Sequence, residues 1–179
     1  MVYIILGAGF EEAEAIVPCD LLRRAGAETK LVGIGGRDIV GGHGITVRAD
    51  CSTEEVDLTE AEMLVLPGGL GGVQSIRASK TVTEALKAVY AHGGYIAAIC
   101  AAPTIAAQLG MTDGKNATCY PGMEVEMGAA RMCDAPAVRD GRVITGRAAG
   151  TAFDFGLLLV ETLCGVEAAQ KVRNAVVYR

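Results

Sequence analysis

The sequence predicts an α/β fold: a three-layer sandwich with a mainly parallel central sheet and helices on both faces. Two observations carry that expectation. Apolar runs rich in β-branched residues alternate with helical patterns along the 179 residues. Several of those runs are also uninterrupted by polar residues, as strands covered on both faces are, and they exit through glycines into the next helix. "VYIILG", a helix from about Glu11 to Ala25 and "ETKLVGIGG" form the first βαβ unit. "RDIVGGHGITVRAD" reads as a hairpin, and "AEMLVLPGG" as a buried strand leading through glycines to a helix over 73–91. "GYIAAI" and the helix after Cys100 repeat the scheme. "NATCYP" and the hairpin-like "AVRDGRVITG" then precede "GTAFDFGLLLVETLCG", an apolar helix closed by Gly165, and a last helix "VEAAQKVRNAVVY". No linker, repeat or low-complexity tract divides the chain, so residues 1–179 are expected to form a single domain.

Composition narrows the function. A formal charge of -5 with no Lys/Arg run argues against nucleic acid as a partner, because such affinity rests on cationic contacts to phosphate. The start "MVYIILGAGFEEAEAI" has no basic leader, and Glu11, Glu12 and Glu14 interrupt its apolar run; it is neither a signal peptide nor a membrane span, and a cytoplasmic location is expected. The six cysteines lack CxxC spacing and the only histidines are His43 and His92, so neither a metal site nor a disulfide framework is supported.

Cys100 stands apart from the other five. It falls between "YIAAI" and the Ala-rich helix beginning near Pro103, at the corner where α/β enzymes hold a nucleophile. A sharp turn there lifts the side chain out of the sheet, and a helix N-terminus offers positive potential and free N–H groups to a thiolate. Pro103 suits a first helical turn, and Ala101 and Ala102 leave room beside the sulfur. Two other strand exits, "GAGFEEAEA" and "LPGGLGG", belong on the same sheet edge. Glu11, Glu12 and Glu14 occupy a first helical turn, where they either favour the dipole or, for one of them, point at the thiol. Gly68 and Gly69 serve either as a plain strand exit or to bring a backbone N–H to a substrate oxygen, forming an oxyanion hole with the N–H of Ala101.

The segments "GFEEAEAIVPCDLLRRAG", "VLPGG", "AAICAAPT" and "TGRAAGTAFDFGL" resemble, in order and spacing, the ThiJ/PfpI superfamily, in the branch of the parkinsonism-associated protein deglycase and its bacterial relatives. The resemblance spans essentially the whole chain and implies a flavodoxin-like fold of the class I glutamine amidotransferase-like type. It also implies that Cys100 is the reactive residue and that Glu14 is the carboxyl group hydrogen-bonded to it, kept protonated so that it stabilises negative sulfur without adding charge. The first helix in relatives contributes to a homodimer, which gives Ile16, Val17, Asp20, Leu21 and Arg24 two possible partners: a second chain or the sheet. Pro18 is expected to kink or restart that helix.

Two departures matter. The segment "TCYP" carries Tyr120 where some relatives carry histidine, and Ala101 follows the cysteine where the proteolytic branch has histidine, so peptidase activity is not expected. Tyr120 is left as a substrate hydrogen-bond donor or a buried wall. Cys119 beside it is a poor resolving thiol, since neighbouring strand residues face opposite ways. "RAAGT" lacks the proline that often precedes Gly-Thr in relatives, which loosens any inference about Arg147 and Thr151. His43 reads as a solvated hairpin residue, and His92 as a cation at a helix C-terminus.

The resemblance implies an enzyme of glyoxalase III or deglycase type. Cys100 would attack a 2-oxoaldehyde such as methylglyoxal or glyoxal, or its early adduct on a protein or thiol, to give a 2-hydroxy acid without glutathione, metal or other cofactor. The alternative is a redox-sensing or stress-protective protein acting through oxidation of Cys100.

Overall fold

The computed structural model describes residues 1–179. Its strands and helices begin with β1 (Val2–Leu6), α1 (Glu12–Arg24), β2 (Thr29–Gly33), the short hairpin β3 (Asp38–Val40) and β4 (Thr46–Arg48), and β5 (Cys51–Ser52). There follow β6 (Met63–Leu66), α2 (Leu70–Ala78), α3 (Lys80–Ala91), β7 (Tyr95–Ile99) and α4 (Pro103–Gln108). The chain ends through β8 (Asn116–Ala117), β9 (Arg131–Met132), the hairpin β10 (Ala137–Asp140) and β11 (Val143–Gly146), then α5 (Ala152–Cys164) and α6 (Val166–Ala175).

Seven strands form one sheet in the order β10-β11-β7-β6-β1-β2-β5, parallel except for β10. Because strand side chains alternate between faces, Ile4, Leu6, Val65, Ala97 and Ile99 enter one core with residues of α1, α5 and α6. Tyr3, Ile5, Leu64, Leu66, Ile96 and Ala98 enter a second core with residues of α2, α3 and α4. Each core has 22 buried residues, so the sheet is sealed on both sides and its strands are apolar throughout. The flavodoxin-like three-layer expectation holds.

Three local expectations need correction. The helix expected over 73–91 is two helices, because Ser79 takes an extended conformation and its side chain accepts from the Val82 N–H to start α3. α1 runs through Pro18 without interruption: only one backbone donor is lost, and Pro18 and Leu21 pack against Gly156 of α5. "NATCYP" yields only the two residues of β8, paired with β9 outside the main sheet. The helix expected after Cys100 is present, beginning at Pro103, and is six residues long.

From β1 the chain goes to β2 on one side, and later returns to β6 on the other and continues outward to β7 and β11. The reversal puts a crevice between the carboxyl ends of β1 and β6, with the end of β7 next to it. The loops leaving these three strands build most of the site, and the segment after β8 adds Tyr120 and Met123.

Candidate active site

The end of β7 is tied down on both sides before the chain turns. Cys100 N–H donates to Gly146 O at 3.0 Å, and Cys100 O accepts from Tyr120 N–H at 2.8 Å. Between these bonds Cys100 has φ of 65°, in the left-handed region that costs a non-glycine residue about 1–2 kcal/mol. That strain lifts the side chain clear of the sheet and leaves it half-buried, facing a cleft of about 250 Å³. Glu11, Gly69, Leu70, Ala101, Tyr120 and Met123 complete the lining.

The three carboxylates of the first helix separate into three roles. Glu14 is fully buried; its Oε2 accepts from Gly68 N–H at 2.8 Å, its Oε1 has no hydrogen-bond partner, and the Cys100 thiol lies close enough to influence the carboxyl's titration. Gly68 lies between the two groups so closely that a Cβ there would stand 2.6 Å from Glu14 Oε2 and 2.8 Å from Cys100 Cβ. Glu12 turns the other way and accepts from both the backbone N–H and Nδ1 of His43, each at 2.8 Å. Glu11 faces the cleft, with its carboxylate 3.4 Å from His43 Nδ1.

Electrostatics follow from this arrangement. Burial pushes the Glu14 carboxyl up to about 7, against the pull of the Gly68 N–H and the thiol. Burial, followed by the charge and hydrogen bond of an ionised Glu14, pushes the Cys100 thiol up to about 12, while the N–H groups of Ala101 and Gly69 pull it down. At neutral pH the thiol therefore keeps its proton while the carboxyl is part protonated, and because each charge raises the cost of the other, a thiolate is least costly when Glu14 carries a proton. The short α4 contributes little dipole to this; the positive edge seen by sulfur is the pair of N–H groups. Burial tends to raise Glu12 too, but the bonds from His43 outweigh it and lower this carboxyl to about 2.

Other expectations resolve plainly. Tyr120 is exposed at the cleft mouth and is not a buried wall. Cys119 bonds through sulfur to Tyr120 O and lines a separate hollow with Cys133, Asp134 and Arg147. Arg147 pairs with Asp134 at 2.7 Å and Thr151 bonds back to Ala148, so the loop without proline is fastened by side chains. His43 is two-thirds exposed yet held by Glu12, more than a free hairpin residue, and with Glu11 and Glu12 makes the one grouping of potential metal ligands, all within 4.8 Å. His92 caps α3 and bonds through Nε2 to Thr59 O. Leu70 and Met123 of the cleft wall carry no sequence signal of their own.

A parallel-sheet α/β protein with a strained cysteine at a strand-to-helix corner, facing a buried carboxyl, belongs to the class built around a cysteine elbow. Residues 1–162 match the DJ-1/PfpI family, and the chain belongs to it. It is 39% identical over 172 residues to protein dj-1beta of Drosophila melanogaster, covering 94% of this chain and 92% of that one. It is 34% identical over 151 residues to a deglycase of Pyrococcus abyssi, covering 83% and 90%. The solved structure of oxidised DJ-1 from Toxoplasma gondii superposes with a TM-score of 0.94 at 30% identity, covering 99% of this chain and 97% of that one.

Proposed function

We propose that the protein is an enzyme that converts 2-oxoaldehydes, free or as early protein or thiol adducts, to 2-hydroxy acids without glutathione. The observation that carries this reading is the meeting of the elbow thiol of Cys100 with the buried carboxyl of Glu14 in an open cleft. The Cys100 thiolate adds to the aldehyde carbon, and the N–H groups of Gly69 and Ala101 receive the oxyanion, which then takes a proton. Glu14 removes the hydrogen of that carbon as a proton and returns it to the neighbouring carbonyl carbon, while the proton of the new hydroxyl passes to the neighbouring carbonyl oxygen. The aldehyde carbon is oxidised as its neighbour is reduced, leaving a thioester of the 2-hydroxy acid. Water cleaves the thioester and restores the thiol. A carboxyl near 7 suits a group that must both take and give a proton.

The only charged side chain on the cleft is Glu11, which favours neutral over anionic carbonyl compounds. Tyr120 at the mouth offers a hydroxyl to the substrate. Neither histidine lines the cleft, so the reading includes no Cys-His peptidase. A homodimer through α1 is part of the proposal, supported by Ile16, Asp20 and Arg24, which this helix leaves exposed. No helix is long and apolar enough to cross a membrane. Oxidative sensing through Cys100 is the second reading, favoured by the partial exposure of the thiol and by a relative whose structure is described as oxidised.

The test is methylglyoxal consumption with lactate detection in the absence of glutathione. Wild type, Cys51→Ser and Cys164→Ser are expected to turn over, and Cys100→Ser, purified identically, is not. Wild-type protein that leaves methylglyoxal unconverted while Cys100 is intact and reduced would refute the enzyme reading in favour of sensing. Equal loss in all three variants would refute a single nucleophile.

A further inference from the structure

Arg77, in the last turn of α2, does not touch the cleft, yet its Nη2 donates to Thr104 Oγ1 at 2.7 Å. Thr104 is fully buried in the first turn of α4, and its hydroxyl donates in turn to Ala101 O at 2.7 Å. The same Nη2 lies 3.6 Å from the Glu126 carboxylate. From Glu126 the backbone bonds run back to the elbow: Glu126 N–H to Met123 O, Met123 N–H to Tyr120 O, and Tyr120 N–H to Cys100 O. Arg77 thus closes a ring through Thr104, Ala101, Cys100, Tyr120, Met123 and Glu126. Four of these residues line the cleft. Arg77 Nε is buried without a partner, so the side chain is not placed to satisfy itself.

We propose that Arg77 and Thr104 are positioning residues that hold Ala101 by its carbonyl oxygen, and so aim its N–H at the Cys100 sulfur and at the oxyanion formed there. The elbow needs such a tie because α4 is only six residues long and Cys100 is strained, so the helix itself fixes Ala101 weakly. The Thr104 hydroxyl has one proton and spends it on Ala101 O; the donor from Arg77 fills its acceptor side and holds the rotamer. The other groups facing the sulfur, Glu14 and the Gly69 N–H, come from α1 and from the exit of β6, and Glu11 stands on the cleft wall; none belongs to the ring.

The test is the rate of Cys100 alkylation by iodoacetamide against pH, read by peptide mass spectrometry, in Arg77→Met, Thr104→Val and Thr104→Ser. Thr104→Val keeps the cation and the side-chain shape, so it separates aiming from charge and serves should Arg77→Met not fold. Both Arg77→Met and Thr104→Val are expected to move the profile to higher pH and slow alkylation at neutral pH about tenfold, a fraction of what full loss of one oxyanion donor costs. Thr104→Ser is expected to follow wild type, and the double variant to be no slower than the slower single one. The alkylation profile does not depend on the oxoaldehyde reading. Under that reading kcat is expected to fall with KM unchanged. Wild-type alkylation profiles in both Arg77→Met and Thr104→Val, with only the melting temperature lowered, would overturn the proposal. So would a Thr104→Ser profile that matches Thr104→Val.

Discussion

At Gly68 the absence of a side chain is what lets Glu14 and Cys100 meet, since a methyl group there would fall within 2.6 Å of one and 2.8 Å of the other. Gly68→Ala is therefore expected to push the carboxyl or the thiol aside. A displacement on the order of 1 Å reduces turnover by about 100-fold, and overpacking lowers stability by about 1–3 kcal/mol. Steady-state kinetics and a urea melt check the two effects separately. Cys100 was legible as the nucleophile from its place between an apolar strand and a Pro-led helix, which is a local pattern. The sorting of Glu11, Glu12 and Glu14 was not, because all three share one helical turn and the hairpin that claims Glu12 lies 31 residues away. Only the resemblance singled out Glu14. Arg77 and Thr104 gave no sign in the sequence, being an ordinary helix-end cation and a core threonine until the fold brings them to 2.7 Å.

Among the elements, the central strands were the most legible, because burial on both faces leaves an apolar run that needs no partner to be recognised. The break at Ser79 was missed because α2 and α3 keep apolar residues at helical spacing on either side of it, and one residue suffices to turn the chain. Its cap is long, 3.4 Å to Val82 N–H. Ser79→Ala is expected to cost about 0.5–1 kcal/mol in a denaturant titration while leaving turnover unchanged, since α3 carries no cleft residue. The edge strand β5 and the pair β8 and β9 are two residues each, too short for periodicity to speak. α1 passed through Pro18 because tertiary packing on α5 outweighs one lost hydrogen bond.

The whole molecule keeps a carboxyl in its interior, and stability must register that. Glu14 titrates near 4.5 when unfolded and near 7 when folded, so between those values the folded state holds the extra proton and stability falls as pH rises, by about 3 kcal/mol in all. Glu12, lowered to about 2, acts in the opposite sense: its contribution is present above 4.5 and is lost as pH falls toward 2. Glu14→Gln is expected to abolish the decline between pH 4.5 and 7 and to leave the acid limb in place, as urea melts across that range would show. The central claim is that the sheet's switch point brings one thiol and one carboxyl together so that they titrate as a coupled pair. The alkylation rate of Cys100 against pH, in wild type and Glu14→Gln, tests it most directly. The amide keeps an acceptor for Gly68 N–H, turns a permanent donor toward sulfur and removes the charge, so the profile is expected to move to lower pH. Superimposable profiles would mean that Glu14 and Cys100 titrate independently, and would contradict the account.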